Sequence, residues 1–398
     1  MRFLHTADWQ LGMTRHYLSP EAQARSTEAR FEAVRSLGRV AREHGCAFVV
    51  VAGDVFETNH VGRDVVARAC EALAEVPVPV LLLPGNHDPL DAGSVLRSDL
   101  FRRLAPAHVR VLDGEPVDVA GVRVLSAPWR SKRPVEDLAA RACAGLAREE
   151  GVRRVLVARG AVEDFGAATA AATIDLPALE RLVHDGALEA VCLGDRHSTT
   201  DVGVTGRVWY AGAPEPTDHD EVDPGNVLVV DLGEQQPPPG GPAAVVTRVP
   251  VGRWRFRRHR LDLSTDEDVD ALEELLAGLP DKSRTALKLS VVGSLSVAQK
   301  ARVDALLEHA ADLLGALQVW ERRSDLVVRA DAADLDALGL SGFAREAAER
   351  LAVRAGAAVA ADLAAGGTGG ERGRAPSTPD AVAAQDALSL LHRLAAAG

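Results

Sequence analysis

Residues 48–57 read Phe48-Val49-Val50-Val51-Ala52-Gly53-Asp54-Val55-Phe56-Glu57, a short β-branched run that stops at Gly-Asp. Because successive strand residues point to opposite faces, a run apolar at both parities predicts a strand buried on both sides. The Gly-Asp pair predicts where that strand ends and the chain turns. The same grammar recurs four times. Residues 2–7 run into Asp8-Trp9-Gln10, and residues 80–83 into Gly85-Asn86-His87-Asp88. Residues 154–157 run into Arg159-Gly160, and residues 190–193 into Gly194-Asp195-Arg196-His197. In open α/β sheets ligands bind outside the carboxyl ends of the strands. One Gly-Asp turn is ordinary; five strand-end clusters rich in Asp, Asn and His predict a site.

Helical patterns near residues 22–44, 62–75, 134–149 and 177–184 alternate with these strands and with a further strand at 122–126. That alternation predicts an α/β first domain. Residues 226–232 and 244–249 read as a strand pair across a Pro- and Gly-rich loop. After residue 251 the texture changes. Ser264-Thr265-Asp266-Glu267 spells a capping box, followed at helical spacing by Val269, Leu272, Leu276 and Leu279. Alternating Leu287, Leu289 and Val291 predict a strand, then a helix at 296–314 and a strand pair at 317–320 and 326–329. The expected organisation is a first domain over 1–250, a small α/β domain over 251–365, a flexible linker over 366–380 and a terminal helix over 381–398. That helix carries Ala384, Leu388 and Leu391 on one face, for docking a partner or folding back on its own domain.

At 398 residues the chain has the length of two domains, and 47% hydrophobic residues suffice for two cores. No run approaches the ~18 apolar residues of a membrane span, and Met1-Arg2-Phe3-Leu4-His5 opens no secretory leader. Cys46, Cys70, Cys143 and Cys192 lack CxxC spacing and read as buried free thiols, which favours the cytoplasm. A net charge of −12 excludes holding nucleic acid by bulk charge; a local patch, a bound metal or a partner must do it. Arg253-Trp254-Arg255-Phe256-Arg257-Arg258-His259-Arg260 is the most basic stretch. It reads first as a strand with Trp254 and Phe256 inward and arginines in water, and alternatively as a track for a phosphate backbone.

Taken together, the order D-x-(H/Q), GD-x-x-(D/E), GNHD and G-x-x-H resembles the calcineurin-like metallophosphoesterases. Residues 3–12 (FLHTADWQLG), 49–57 (VVVAGDVFE) and 81–90 (LLLPGNHDPL) are similar to the SbcD nucleases within them. The resemblance implies a four-layer α/β/β/α sandwich with a small α/β cap domain and a C-terminal helix. It also implies a ligand set. Asp8, Gln10 and His197 would hold one metal, Asp54 would bridge two, and Asn86 would hold the second. His87 would be the catalytic histidine, with Asp88 beside it as a second catalytic residue. Two such ions stabilise the attacking and leaving oxygens of a phosphodiester.

Three family histidines are replaced, by Gln10, Arg159 and Asp195. A guanidinium cannot ligate a metal. The second ion would lose both histidines and keep Asp54 and Asn86, with Asp195 as an added oxygen. Three carboxylates and one guanidinium leave the same −2 as the family's two carboxylates, so an Arg159–Asp195 ion pair is expected beside the second metal. Arg159 would then offer its charge to the scissile phosphate; in a competing version Asp195 ligates and Arg159 turns toward DNA. The oxygen-rich shell favours Mn²⁺ or Mg²⁺, as one or two ions. The resemblance implies a metal-dependent DNA exonuclease or endonuclease, partnered by an SbcC-like ATPase as a homodimer within a heterotetramer. A non-catalytic subunit that binds DNA ends or the ATPase, and a small-molecule phosphodiesterase, are the rival expectations.

Overall fold

The computed structural model describes residues 1–162, 173–234, 236, 238–240, 244–329, 342–364, 383–384, 387–388 and 390–391. The chain divides into two compact units, Met1–Arg255 and Phe256–Gly398.

The first unit begins β1 (Arg2–Thr6), α1 (Pro20–His44), β2 (Cys46–Val51), α2 (Arg63–Ala74), β3 (Val80–Leu82), α3 (Asp99–Leu104) and β4 (Val109–Val111). It continues β5 (Val117–Val119), β6 (Val122–Ser126), α4 (Leu138–Ala142), β7 (Arg153–Arg159), α5 (Leu176–His184) and β8 (Ala190–Gly194). Last come β9 (Thr200–Val202), β10 (Val208–Tyr210), β11 (Asn226–Asp231) and β12 (Val245–Pro250). Two six-stranded sheets result, in the orders β12-β11-β1-β2-β3-β4 and β5-β6-β7-β8-β10-β9. Strands β1 to β4 are mutually parallel, as are β6, β7, β8 and β10. Parallel strands finish on the same edge, and that edge gathers the polar clusters.

The apolar runs at both parities have a direct explanation in the packing. Phe3, Phe48 and Val50 of the first sheet meet Val124, Val155 and Val157 of the second, with the Phe3 and Phe48 rings stacked at 4.9 Å. The opposite parity, Leu4, Val49 and Val51, faces Phe31, Leu37 and Leu73 on α1 and α2. Leu156 and Ala158 likewise face Leu179 and Val183 on α5. The first unit is therefore a four-layer α/β/β/α sandwich, and each buried side chain of this size contributes about 1.5–3 kcal/mol. Helix α1 starts where Ser19 accepts from the Ala22 N–H with Pro20 next in line, and stops at Gly45 in the left-handed region. The helix expected over 134–149 contracts to α4: the chain leaves the helix at Cys143, and Gly145 takes a φ of +71°.

The second unit holds β13 (Arg255–Leu263), α6 (Asp266–Gly278), β14 (Thr285–Ser296), α7 (Val297–Leu313), β15 (Ala316–Val319), β16 (Asp325–Arg329) and the helix Gly342–Ala364. The capping box sits one residue later than its spelling suggested, with Thr265 as N-cap and Asp268 returning the bond. The last two strands do not pair with each other. Both run parallel to β14, β15 along Ala286–Leu289 and β16 along Val292–Ser296, because β14 is long enough to seat them end to end. Val269, Leu272 and Leu276 of α6 close over Leu287, Leu289 and Val291. Ala384 and Leu388 are buried against Val297, Val328 and Ala348. Ala384 and Leu388 of the expected apolar stripe thus pack within their own unit. The linker expected over 366–380 lies outside the described residues. All four cysteines are free and buried. Among the described residues, no helix is long and apolar enough to cross a membrane.

Candidate active site

The strand-end loops lock onto one another before they present any side chain. Asp8 N–H donates to the Gly53 carbonyl at 3.0 Å, Gln10 N–H to Asp54 at 2.9 Å and Leu11 N–H to Val55 at 2.9 Å. Asp8, Gln10, Asp54 and Asp195 all take positive φ, at 53°, 46°, 51° and 103°. Four non-glycine residues in that sparsely populated region at one edge mark a place where the surrounding structure dictates backbone shape. Gly85 must lack a side chain, since a Cβ there would fall 2.1 Å from Asp54 Oδ1.

At the centre stands Arg159, the last residue of β7. Its Nη1 donates to Asp8 Oδ1 at 2.6 Å and its Nε to Asn86 Oδ1 at 2.6 Å. Its Nη2 donates to Asp54 Oδ2 and lies 3.2 Å from Asp195 Oδ1. The remaining oxygens of the two buried carboxylates are matched as well. Asp8 Oδ2 accepts from Asp195 N–H at 3.2 Å, and Asp54 Oδ1 from His87 N–H at 3.0 Å. The Arg159 side chain is 1% exposed. Burial works against its charge, but Asp54, Asp8 and Asp195 outweigh burial and hold its pKa above the ordinary arginine value. Burial pushes the Asp54 carboxyl the other way, up from the usual carboxylate range, while Arg159 pulls it back.

Two histidines lie at the rim. His87 is 35% exposed, its Nδ1 is 2.9 Å from the Glu57 carbonyl, and its Nε2 lies 3.9 Å from Asp54 Oδ2. Since a carbonyl only accepts, Nδ1 carries the proton, and Nε2 is the atom left for another partner. His197 is held from behind, Nδ1 being 2.6 Å from Thr217 Oγ1 and 3.0 Å from Glu221 Oε1. Its Nε2 faces Gln10 Nε2 at 3.4 Å and Asp8 Oδ1 at 3.8 Å. Burial opposes charge on His197, yet the Glu221 hydrogen bond and Asp8 raise its pKa above the ordinary value. Gln10 Oε1 is buried without a hydrogen-bond partner among the described residues. Turning that amide over would let Oε1 accept from a protonated His197.

The structure therefore brings Asp8, Gln10, Asp54, Asn86, His87, Arg159, Asp195 and His197 to one edge. The Arg159–Asp195 pair is present, but the surroundings differ from expectation. Arg159 grips Asp8, Asp54 and Asn86 as well, and with 1% of its side chain exposed it offers nothing to a phosphate or to DNA. Asp88 departs from the catalytic expectation. It is fully buried, accepting from Gly85 N–H at 2.8 Å and Phe56 N–H at 3.0 Å, so it braces the turn that carries His87. Glu57, Thr217 and Glu221, which orient the two histidines, were not singled out from sequence. Glu57 stood in the GD-x-x-E motif without a role, and the Thr217–Glu221 loop carries no motif.

The expected ligand set does not fit a metal pair as arranged. Asp8, Asp54 and Asn86 already give their inward oxygens to a guanidinium, and among the described residues no group of three or more His, Cys, Asp and Glu could hold an ion. A divalent ion about 4 Å from a guanidinium would also meet a repulsion of about 8 kcal/mol at an effective dielectric of 20.

Residues 1–167 match the family model for calcineurin-like phosphoesterases, a family that uses divalent metals. The chain is 29% identical over 276 residues to the SbcD component of the SbcCD nuclease of Rhodobacter capsulatus. That alignment covers 56% of this chain and 64% of the relative, so the chain spans under two thirds of the curated protein it matches. TT1561 of Thermus thermophilus superposes over 63% of this chain and 98% of its own, at 12% identity and a TM-score of 0.40. The NAD nucleotidase of Haemophilus influenzae superposes over 78% of this chain and 60% of its own, at 13% identity and a TM-score of 0.35. The family match over residues 1–167 and the four-layer sandwich make the first unit similar to the calcineurin-like phosphoesterases.

Proposed function

We propose that this chain is an SbcD-like subunit that engages DNA phosphodiesters together with an SbcC-like ATPase, and that it binds them without two-metal hydrolysis at its own centre. The observation that carries this reading is the rim: His87 and His197, each held by a fixed acceptor and only part-buried, stand over a buried cluster neutralised in part by Arg159. With Nδ1 of each ring committed to its acceptor, Nε2 can donate to a phosphate oxygen only when the ring is protonated at both nitrogens. His197, whose pKa is raised against burial by the Glu221 hydrogen bond and Asp8, suits that role. The second unit lends support, since Arg257, Arg258 and Arg260 on β13 are all exposed. Trp320 there has Lys288 Nζ at 4.3 Å and the Arg323 guanidinium at 4.5 Å from its ring. A local basic and aromatic patch of this kind can hold a strand on a chain of net charge −12, and an ATPase partner would add grip. Pairing of two copies within a heterotetramer belongs to the same proposal.

A manganese-dependent nuclease is the finer alternative, favoured by the intact orientation of His87 and His197. The two separate in one experiment. The purified chain, alone and with its ATPase and ATP, is incubated with linear DNA and Mn²⁺ beside a His87→Asn control, and binding is followed in parallel at several salt concentrations. The binding reading expects salt-sensitive association and no cleavage above the control. Cleavage abolished by His87→Asn overturns it in favour of the nuclease, and hydrolysis confined to a small phosphodiester removes DNA from the account.

A further inference from the structure

We infer that Arg159 is the resident cation of this centre: its guanidinium stands in place of divalent ions, so that the folded domain needs none, and a single change to histidine opens the site to metal. The inference does not depend on the DNA reading, because it concerns ions and stability alone.

The geometry is that of a built place. Arg159 arrives from β7 in the second sheet and reaches acceptors that follow β1, β2 and β3 in the first: Asp8, Asp54 and Asn86. Two glycines make the room. A Cβ on Gly53 would stand 2.6 Å from Arg159 Cδ, and one on Gly85 3.0 Å from the same atom. The backbone at the arginine is pinned too. Trp129 Nε1 donates to the Arg159 carbonyl at 3.0 Å, and the Tyr210 hydroxyl donates to the Gly160 carbonyl at 2.7 Å.

Chemistry then assigns the role. Buried carboxylates require a counter-charge, and a planar fork of N–H groups can serve several oxygens at once where an ion would coordinate them. Arg159 serves four acceptors with three nitrogens. Every one of those acceptors belongs to the set from which the family resemblance builds its metal shell. The side chain is fixed, charged at any working pH and shielded from solvent, so no ion competes for the oxygens unless the arginine leaves.

The test is titration of Mn²⁺ into the full chain by calorimetry, with thermal unfolding in EDTA and in excess Mn²⁺ as a second readout. The wild-type chain is expected to show no saturable uptake at micromolar Mn²⁺ and one melting temperature in both conditions. Arg159→His is expected to gain saturable uptake and a melting temperature that rises with Mn²⁺; adding Asp195→His should tighten it. An Arg159→His chain that folds only with Mn²⁺ present would support the same conclusion. Saturable micromolar uptake by the wild type would overturn the inference. So would a folded Arg159→His chain that takes up no ion. Should that variant fail to fold in either condition, the wild-type measurements decide alone. These readouts stand whether or not the protein binds DNA.

Discussion

The loops of the first sheet and those of the second make unequal contributions to the same edge. After β1, β2 and β3 come Asp8, Asp54, Asn86 and His87, a set of acceptors and one imidazole in the order the family motif leads one to expect. After β7 and β8 come Arg159, Asp195 and His197, and here two of three positions depart from that order. Gln10, after β1, is a third departure, but the two on the second sheet sit together, and the cation among them reaches across to bind the anions of the first. A centre that elsewhere would be joined by ions is here joined by a side chain. The lesson is that charge at a buried site is a shared quantity: replacing a neutral ligand by a cation changes what every facing carboxylate can do.

The largest effect should come from removing the bridge. Arg159→Met leaves Asp8 and Asp54 buried without a counter-charge and should cost about 3–5 kcal/mol in urea unfolding at neutral pH. The loss should shrink as pH falls, since protonation relieves unpaired carboxylates; a loss independent of pH would point to packing alone.

Next comes the contact behind the cluster. His5 on β1 is fully buried, its Nε2 3.2 Å from the Leu193 carbonyl on β8, and burial depresses its pKa to about 3. A depressed histidine is neutral when folded, so stability is full above about pH 6.5 and falls as pH drops toward 3. By pH 4 the loss from this group should approach about 3 kcal/mol. Urea unfolding from pH 7 to 4 measures it, and a His5→Phe chain with the same slope would refute the assignment.

A smaller effect is expected at the rim. Glu221→Gln removes the charge behind His197 and should lower its pKa, read by NMR titration of the ring protons. Because that pKa is raised in the folded state, the Glu221 contribution is present below the unfolded value and lost as pH rises through the folded one. An unmoved His197 would mean that Thr217 alone orients it. The smallest effect is at the surface, where Arg39 and Glu43 pair at 2.9 Å with each side chain 52% exposed. Glu43→Ala should change stability by no more than about 0.5 kcal/mol, against several for the buried network.

Much of this was legible in the sequence, for physical reasons. Double-parity apolar runs such as Phe48–Ala52 announce strands covered on both faces, and Gly-Asp turns announce their ends. The residues of the edge were therefore named correctly as neighbours. What the sequence hid was orientation. Whether Arg159 faces solvent or Asp54 depends on the room that Gly53 and Gly85 leave, and on a partner sheet more than a hundred positions away. Asp88 looked catalytic beside His87 because a motif carries no sign of which carboxylate the turn consumes. Glu221 gave no signal, being brought to His197 by a loop with no pattern of its own. In the second unit, period-two alternation located β14, and the strand pair read at 317–320 and 326–329 carried no sign that both would pair with β14.

On the inference drawn above, Arg159 serves the acceptors that the family resemblance assigns to ions. Differential scanning calorimetry of the unmodified chain tests it most directly, with one sample stripped by EDTA and one in excess Mn²⁺. The account predicts superimposable transitions, because ligand linkage has no site through which to act. A transition that climbs with Mn²⁺ concentration would contradict it.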